Sequence, residues 1–109
     1  MKLQFDAIPE TVLEHFCGGE KAFHAHMHID ENGKILHGRL EPGASIGLHT
    51  HETSSEVIYY LGGCGKVICD GEEEYVRAGD CHYCPKGSAH TMINDGDEDL
   101  VFFAVVPLQ

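Results

Sequence analysis

Residues 21–41 read KAFHAHMHIDENGKILHGRLE, and the period of this stretch decides the fold. Phe23, Ala25, Met27 and Ile29 alternate with His24, His26 and His28, so apolar and polar side chains change places every residue. A period of two belongs to a strand with one buried face, whereas a helix would repeat every three to four residues. DENGK at residues 30–34 is turn chemistry, and KILHGRLE resumes the strand, so the stretch predicts a β-hairpin. Working outward, turn signals recur at EPGA, LGGCG, CDGEEE, RAGD, PKGS and NDGDED, separating runs such as VIYYL, KVIC and LVFFAVV. Many short strands at this spacing predict an all-β sandwich or barrel rather than a parallel α/β sheet. Upstream, IPETVLEHFCGG has Pro9 placed for a first helical turn, Val12, Leu13 and Phe16 near one face, and Gly18 as a stop. This predicts a short helix at about residues 9–17, within an N-terminal segment 1–20 that precedes a barrel over 21–109. A small barrel must also hide its edges, so residues 21–29 are expected to form an edge strand that meets a second copy in a homodimer.

The chain of 109 residues suits one domain. Eighteen acidic against seven basic residues give a net charge of -11, which would repel a phosphate backbone or an anionic membrane, so neither nucleic acid nor membrane is an expected partner. The absence of a long apolar run or of a secretory leader in MKLQFDAIPE predicts a cytoplasmic protein. Five cysteines are an odd number for a disulfide framework and are read as reduced thiols. Cys81 and Cys84 lie three apart in an extended segment, facing opposite ways, and are read as packing residues.

Chemistry concentrates in HTHETSSE, residues 49–56. On a strand, residues i and i+2 share a face, so His49 and His51 can aim two imidazoles at one point. Any further donor must come from elsewhere in the barrel, and His90 in PKGSAHTMIN is the distal candidate. Residues 43–63 run Gly43, five residues, His49-x-His51, four residues, Glu56, six residues, Gly63; residues 79–94 run Gly79, five residues, Pro85-x-Gly87, two residues, His90, three residues, Asn94. These two stretches resemble both sequence motifs of the cupin superfamily, in order and with matching spacing. The resemblance implies a single-domain jelly-roll β-barrel of the small, conserved-barrel type, with one divalent transition metal ion per chain (manganese, iron, nickel, cobalt or zinc) held by His49, His51, Glu56 and His90. Three imidazoles and a carboxylate suit such an ion and leave two positions of an octahedron open. Glu52 is the rival carboxylate, but Glu56 opens the strand EVIYYL and can point inward, while Glu52 is followed by turn residues.

Ile58 and Tyr60 share the parity of Glu56 and should project inward, and one of His82 and Tyr83 should face the cavity. Tyr60, His82 and Tyr83 are therefore the candidate catalytic bases. Gly43, Gly63, Gly79 and Gly87 are read as turn residues needing positive φ, and Asn94 as ordering a turn. His24, His26 and His28 are read as the polar face of an outer strand or a dimer contact. Arg39 is the best cation to face inward. The resemblance covers enzymes of several classes, and the expected function is a metal-dependent isomerase or lyase acting as a Lewis acid on a small oxygen-rich substrate such as a sugar, uronate or hydroxyacid. An iron-dependent dioxygenase and a non-catalytic small-ligand-binding protein are the alternatives.

Overall fold

In the computed structural model, which describes residues 1–109, the hairpin read from residues 21–41 is formed by β2 (Ala22–Asp30) and β3 (Gly33–Leu40), paired antiparallel from Phe23↔Leu40 to Asp30↔Gly33. It is built into a six-stranded antiparallel sheet of order β1-β2-β3-β10-β5-β8, with β1 at Thr11–Glu14, β5 at Glu56–Gly62, β8 at Cys81–Cys84 and β10 at Leu100–Pro107. A second sheet of order β4-β9-β6-β7 comprises β4 (Ser45–Thr50), β6 (Cys64–Cys69), β7 (Glu72–Arg77) and β9 (Ala89–Ile93). Apolar side chains from both sheets meet in one core: Phe23, Leu36, Ile58 and Phe102 from the first, Ile46, Val67, Val76 and Met92 from the second. Phe23 and Phe102 stack with ring centroids 5.8 Å apart. Gly38 makes room for them, since a Cβ there would lie 2.7 Å from Phe23 Cε1 and 3.0 Å from Phe102 Cε2. The result is the all-β jelly-roll architecture expected from the sequence. No helix is long and apolar enough to cross a membrane.

The N-terminal region departs from expectation. The helix predicted at about residues 9–17 is instead the strand β1, followed by a single 3-10 turn at Phe16–Gly18; another such turn covers Phe5–Ala7. A helix of two turns gains too little from its own hydrogen bonds to stand against tertiary pairing. Here the free edge of β2 offers that pairing, from Thr11↔Ala25 to Glu14↔Ala22. His15 and Cys17 take left-handed conformations, at φ 51° and 55°, which bend the chain onto β4. The approach is close enough that a Cβ on Gly47 would collide with the Cys17 carbonyl oxygen, and one on Gly19 with that of Ser45. With β1 in place, Ala22–Ala25 of β2 are interior and not at the edge predicted, while His26–Asp30 keep an outer edge with no strand partner. The sheet's edges are the four-residue strands β1 and β8 together with the part of β2 beyond Ala25 that β1 does not cover.

Positive φ occurs at Gly43, Gly63, Gly79 and Gly87, as read from the sequence. Asn94 is wholly buried, donating to the carbonyls of Leu40 and Glu98, both at 2.8 Å, and accepting from the Gly96 N–H at 3.0 Å. It orders the turn before β10.

Candidate metal centre and its cavity

Four side chains converge between the sheets. His49 and His90 stand directly opposite one another in the β4–β9 pairing. His51 follows the end of β4, and Glu56 opens β5 in the other sheet. One ligating atom from each lies within 4.8 Å of every other, a grouping able to hold a metal ion. Ile46 pairs with Met92 three residues before His49 pairs with His90, so β4 carries one more residue than β9 in this interval. Such a bulge rotates the following side chains to the other face. It lets Ile46 enter the core and His49 enter the site although their parity differs, and Gly47 sits within it. Glu52, the rival carboxylate, is exposed.

The outward nitrogen of each imidazole is engaged. His49 Nδ1 donates to the Gly47 carbonyl oxygen at 2.8 Å, and His51 Nδ1 to Ser54 Oγ at 2.9 Å. His90 Nδ1 donates to His82 Nε2 at 3.0 Å. His82 passes the chain on, its Nδ1 donating to Glu74 Oε1 at 2.9 Å. With all three protons on Nδ1, the three Nε2 lone pairs point at one another. His90 Nε2 stands 3.0 Å from His51 Nε2, 3.1 Å from His49 Nε2 and 3.0 Å from Glu56 Oε1. Glu56 Oε1 is also 3.2 Å from His51 Nε2.

Protons alone do not account for this packing. A ring nitrogen carries at most one hydrogen, yet His90 Nε2 has three close partners. A shared cation does account for it: at metal–nitrogen distances of about 2.0–2.1 Å, adjacent ligands at right angles would be about 3.0 Å apart. The donor set, nitrogen and oxygen without thiolate, suits a divalent first-row ion. Electrostatics agree. Burial alone would raise the Glu56 carboxyl, but in the metal-free fold, where protons on the facing Nε2 atoms take the place of a cation, hydrogen bonds from His51 and His90 and their positive charge hold it down at about 2, so Glu56 is the anion a cation would meet. Burial pushes the His49 and His82 imidazoles below their ordinary range, which favours the unprotonated form that can donate a lone pair.

The three candidate bases are not grouped at the centre. His82 is the inward member of its pair, 2% exposed, but it lies behind His90. Tyr83 faces the opposite way and is 59% exposed on the outer surface. Tyr60 points inward as expected, yet it is wholly buried in the core with its hydroxyl donating to Met92 Sδ at 3.0 Å. Burial raises that phenol far above its ordinary range. The sequence reading did not foresee the link through His82 to Glu74, although the alternation in EEEYVR could have shown which residues of β7 share a face.

A cavity of about 430 Å³ opens on the centre, with His49, His51 and Glu56 at its polar end. Its cation is Lys34, on the inner face of β3 with Leu36. Arg39, expected to face inward, has the opposite parity and lies outside, within 3.5–3.7 Å of Glu10, Glu41 and Asp99. His24 and His26 share that outer face. The two nitrogens of His24 meet Glu10 at 3.2 Å and Glu41 at 3.5 Å, and His26 donates to the Ile8 carbonyl at 2.6 Å.

Comparison with known proteins bears on the same region. The Cupin domain profile matches residues 36–106. The chain is 40% identical over 70 residues to an oxalate-binding protein of Thermotoga maritima, covering 64% of this chain and 58% of that one. It is 35% identical over 71 residues to an oxalate decarboxylase of Bacillus subtilis, covering 61% of this chain but only 18% of that enzyme. Among solved structures, a predicted oxalate decarboxylase from Thermotoga maritima superposes with a TM-score of 0.93 at 28% identity, over the whole of both chains.

Proposed function

Because the chain belongs to the cupin family, and because three imidazoles and a carboxylate converge in it with more close contacts at His90 Nε2 than one ring proton can pair, we propose that it holds one divalent transition metal ion at His49, His51, Glu56 and His90 and binds a small carboxylate there. The crowding of three partners around His90 Nε2 carries this reading. The names of the relatives support the ligand class, since two of them concern oxalate.

When bound, such an ion would supply Lewis-acid polarisation of a carbonyl or carboxylate oxygen, the chemistry of a lyase or an isomerase. Glu56 would cancel part of the charge, and the Nδ1 hydrogen bonds would hold the three rings in the tautomer that ligation needs. Leu13 and Phe16, from β1 and the turn after it, line the cavity and would keep water from the ligand. Tyr60 and Tyr83 take no part in this scheme. His82 acts through His90 as a positioning residue.

The test is metal analysis of protein purified without chelators or chelating resin, beside the double variant His49→Ala/His51→Ala. One ion per chain is expected in the first and none in the second, with the barrel still folded. One tightly bound ion persisting in the double variant would overturn the assignment. For the reaction, zinc-, manganese- and iron-loaded protein is to be screened on small carboxylates with and without oxygen. Turnover with zinc in the absence of oxygen supports the Lewis-acid reading, and strict dependence on iron and oxygen would replace it with a dioxygenase.

A further inference from the structure

Nine of the fourteen residues that line the cavity are hydrophobic. Apart from His49, His51 and Glu56, its polar residues are Thr11 and Lys34. A sugar or polyol placed here would turn several hydroxyls toward Phe16, Phe23, Met27 and Leu36, and each unpaired hydroxyl opposes binding. A two-carbon dicarboxylate would satisfy the polar end but leave those walls facing water. Lys34, the one Lys or Arg in this lining, makes no ion pair. A dication offset by Glu56 and joined by Lys34 leaves net positive charge at one end of an apolar chamber.

The source of the walls matters. Thr11, Leu13, Phe16, Phe23, Met27, Ile29 and Lys34, half of the lining, all precede residue 36, where the Cupin domain match begins. Five of the nine apolar residues that would meet the ligand's body thus lie outside the part matched by the family profile, and Leu36, Ile46, Phe102 and Val106 complete the wall from within it. The outside part is held in place by the close backbone contacts of Gly19 and Gly47.

From this geometry we infer that the ligand is a 2-oxo or 2-hydroxy carboxylic acid with an apolar side chain, its acid head at the metal end and near Lys34 and its body against the walls supplied by β1, β2 and the turn between them. The position of the head rests on the metal-site reading above; the apolar body does not.

The experiment is equilibrium binding, by calorimetry and ligand-observed NMR, to manganese-loaded and to metal-free protein. The series is oxalate, pyruvate, 2-oxobutanoate, 2-oxopentanoate, 4-methyl-2-oxopentanoate and gluconate. Each added methylene should tighten Kd about fourfold in both forms of the protein, with oxalate and gluconate weakest. Lys34→Gln should weaken every 2-oxo acid by about tenfold without changing the slope along the series. Met27→Gln should flatten the slope. A Kd that is flat or rises with chain length, tightest binding of oxalate or gluconate, or no binding of the acids to either form would overturn the inference, even with one manganese ion bound per chain. If dialysis shows no metal at the four donors, the metal reading fails separately, and the slope measured on metal-free protein still decides this one.

Discussion

Replacing His82 by leucine removes the group that fixes the tautomer of His90. His82 is 2% exposed, with Nε2 at 3.0 Å from His90 Nδ1 and Nδ1 at 2.9 Å from Glu74 Oε1. Leucine fills similar space but accepts no hydrogen bond, so the buried Nδ1–H of His90 loses its partner at a cost of about 1–3 kcal/mol. The imidazole can avoid that cost by moving its proton to Nε2, where Glu56 Oε1 waits at 3.0 Å. That shift occupies the lone pair needed for ligation. Loss of such an outer partner lowers metal affinity by about 10–100-fold, or about 1.4–2.7 kcal/mol. Competition with a chromophoric chelator reads the affinity, and the visible spectrum of the cobalt form reads the ligand field. His82→Gln should recover part of the loss, because its amide oxygen can accept from His90, and Glu74→Gln should show a smaller effect. If His82→Leu lowers Tm while cobalt affinity and spectrum stay unchanged, His82 only fills space and the reasoning is wrong.

Three further outcomes are expected. The Glu56 carboxyl sits at about 2 in the fold against an ordinary value of 4.5; its folded pKa is depressed, so its contribution to the stability of metal-free protein is present above pH 4.5 and lost as pH falls toward 2. Urea midpoints across that window should fall more steeply in the parent protein than in Glu56→Gln. Cys84 is buried, with burial first among the causes that push its thiol up to about 12, while Cys17, Cys64 and Cys81 are exposed; native alkylation at pH 8 followed by peptide mass mapping should label the exposed three and spare Cys84 until the protein is denatured. Phe102→Ala removes a ring that is 1% exposed and stacked on Phe23, and should cost about 3–5 kcal/mol in chemical denaturation.

Strand alternation, a local rule, made the β2–β3 hairpin and the pairing of His49 with His51 legible, and the full set of four donors was legible through the resemblance of two short motifs to those of the cupin superfamily. What was not legible depends on long-range pairing. Val12, Leu13 and Phe16 have a spacing that serves a helical face in isolation, and nothing within residues 8–19 announces that β2 has a free edge to be filled. The bulge before His49 shifts parity by one residue, and only the opposing register of β9 reveals it. Arg39 and Lys34 differ in parity, so choosing the inward cation needed the known partners Leu36 and Leu40 on the buried face. Tyr60 has the predicted inward parity but lies too deep to meet a ligand, and depth along a strand is set by the curvature of the whole sheet.

The four donors do not all belong to one layer. His49, His51 and His90 come from the β4–β9 side, and Glu56 comes from the sheet that also holds both β1 and β10. Contacts of 3.0 Å from Glu56 to His90 and 3.2 Å to His51 therefore act as a rivet through the two layers. A mechanical load applied at residues 11 and 107 would enter the six-stranded sheet alone and shear its strands, leaving the rivet unloaded. A load applied between β4 and β5 would pull straight across it. Single-molecule stretching between those two attachment pairs should then give unfolding forces that respond to added metal only in the second geometry.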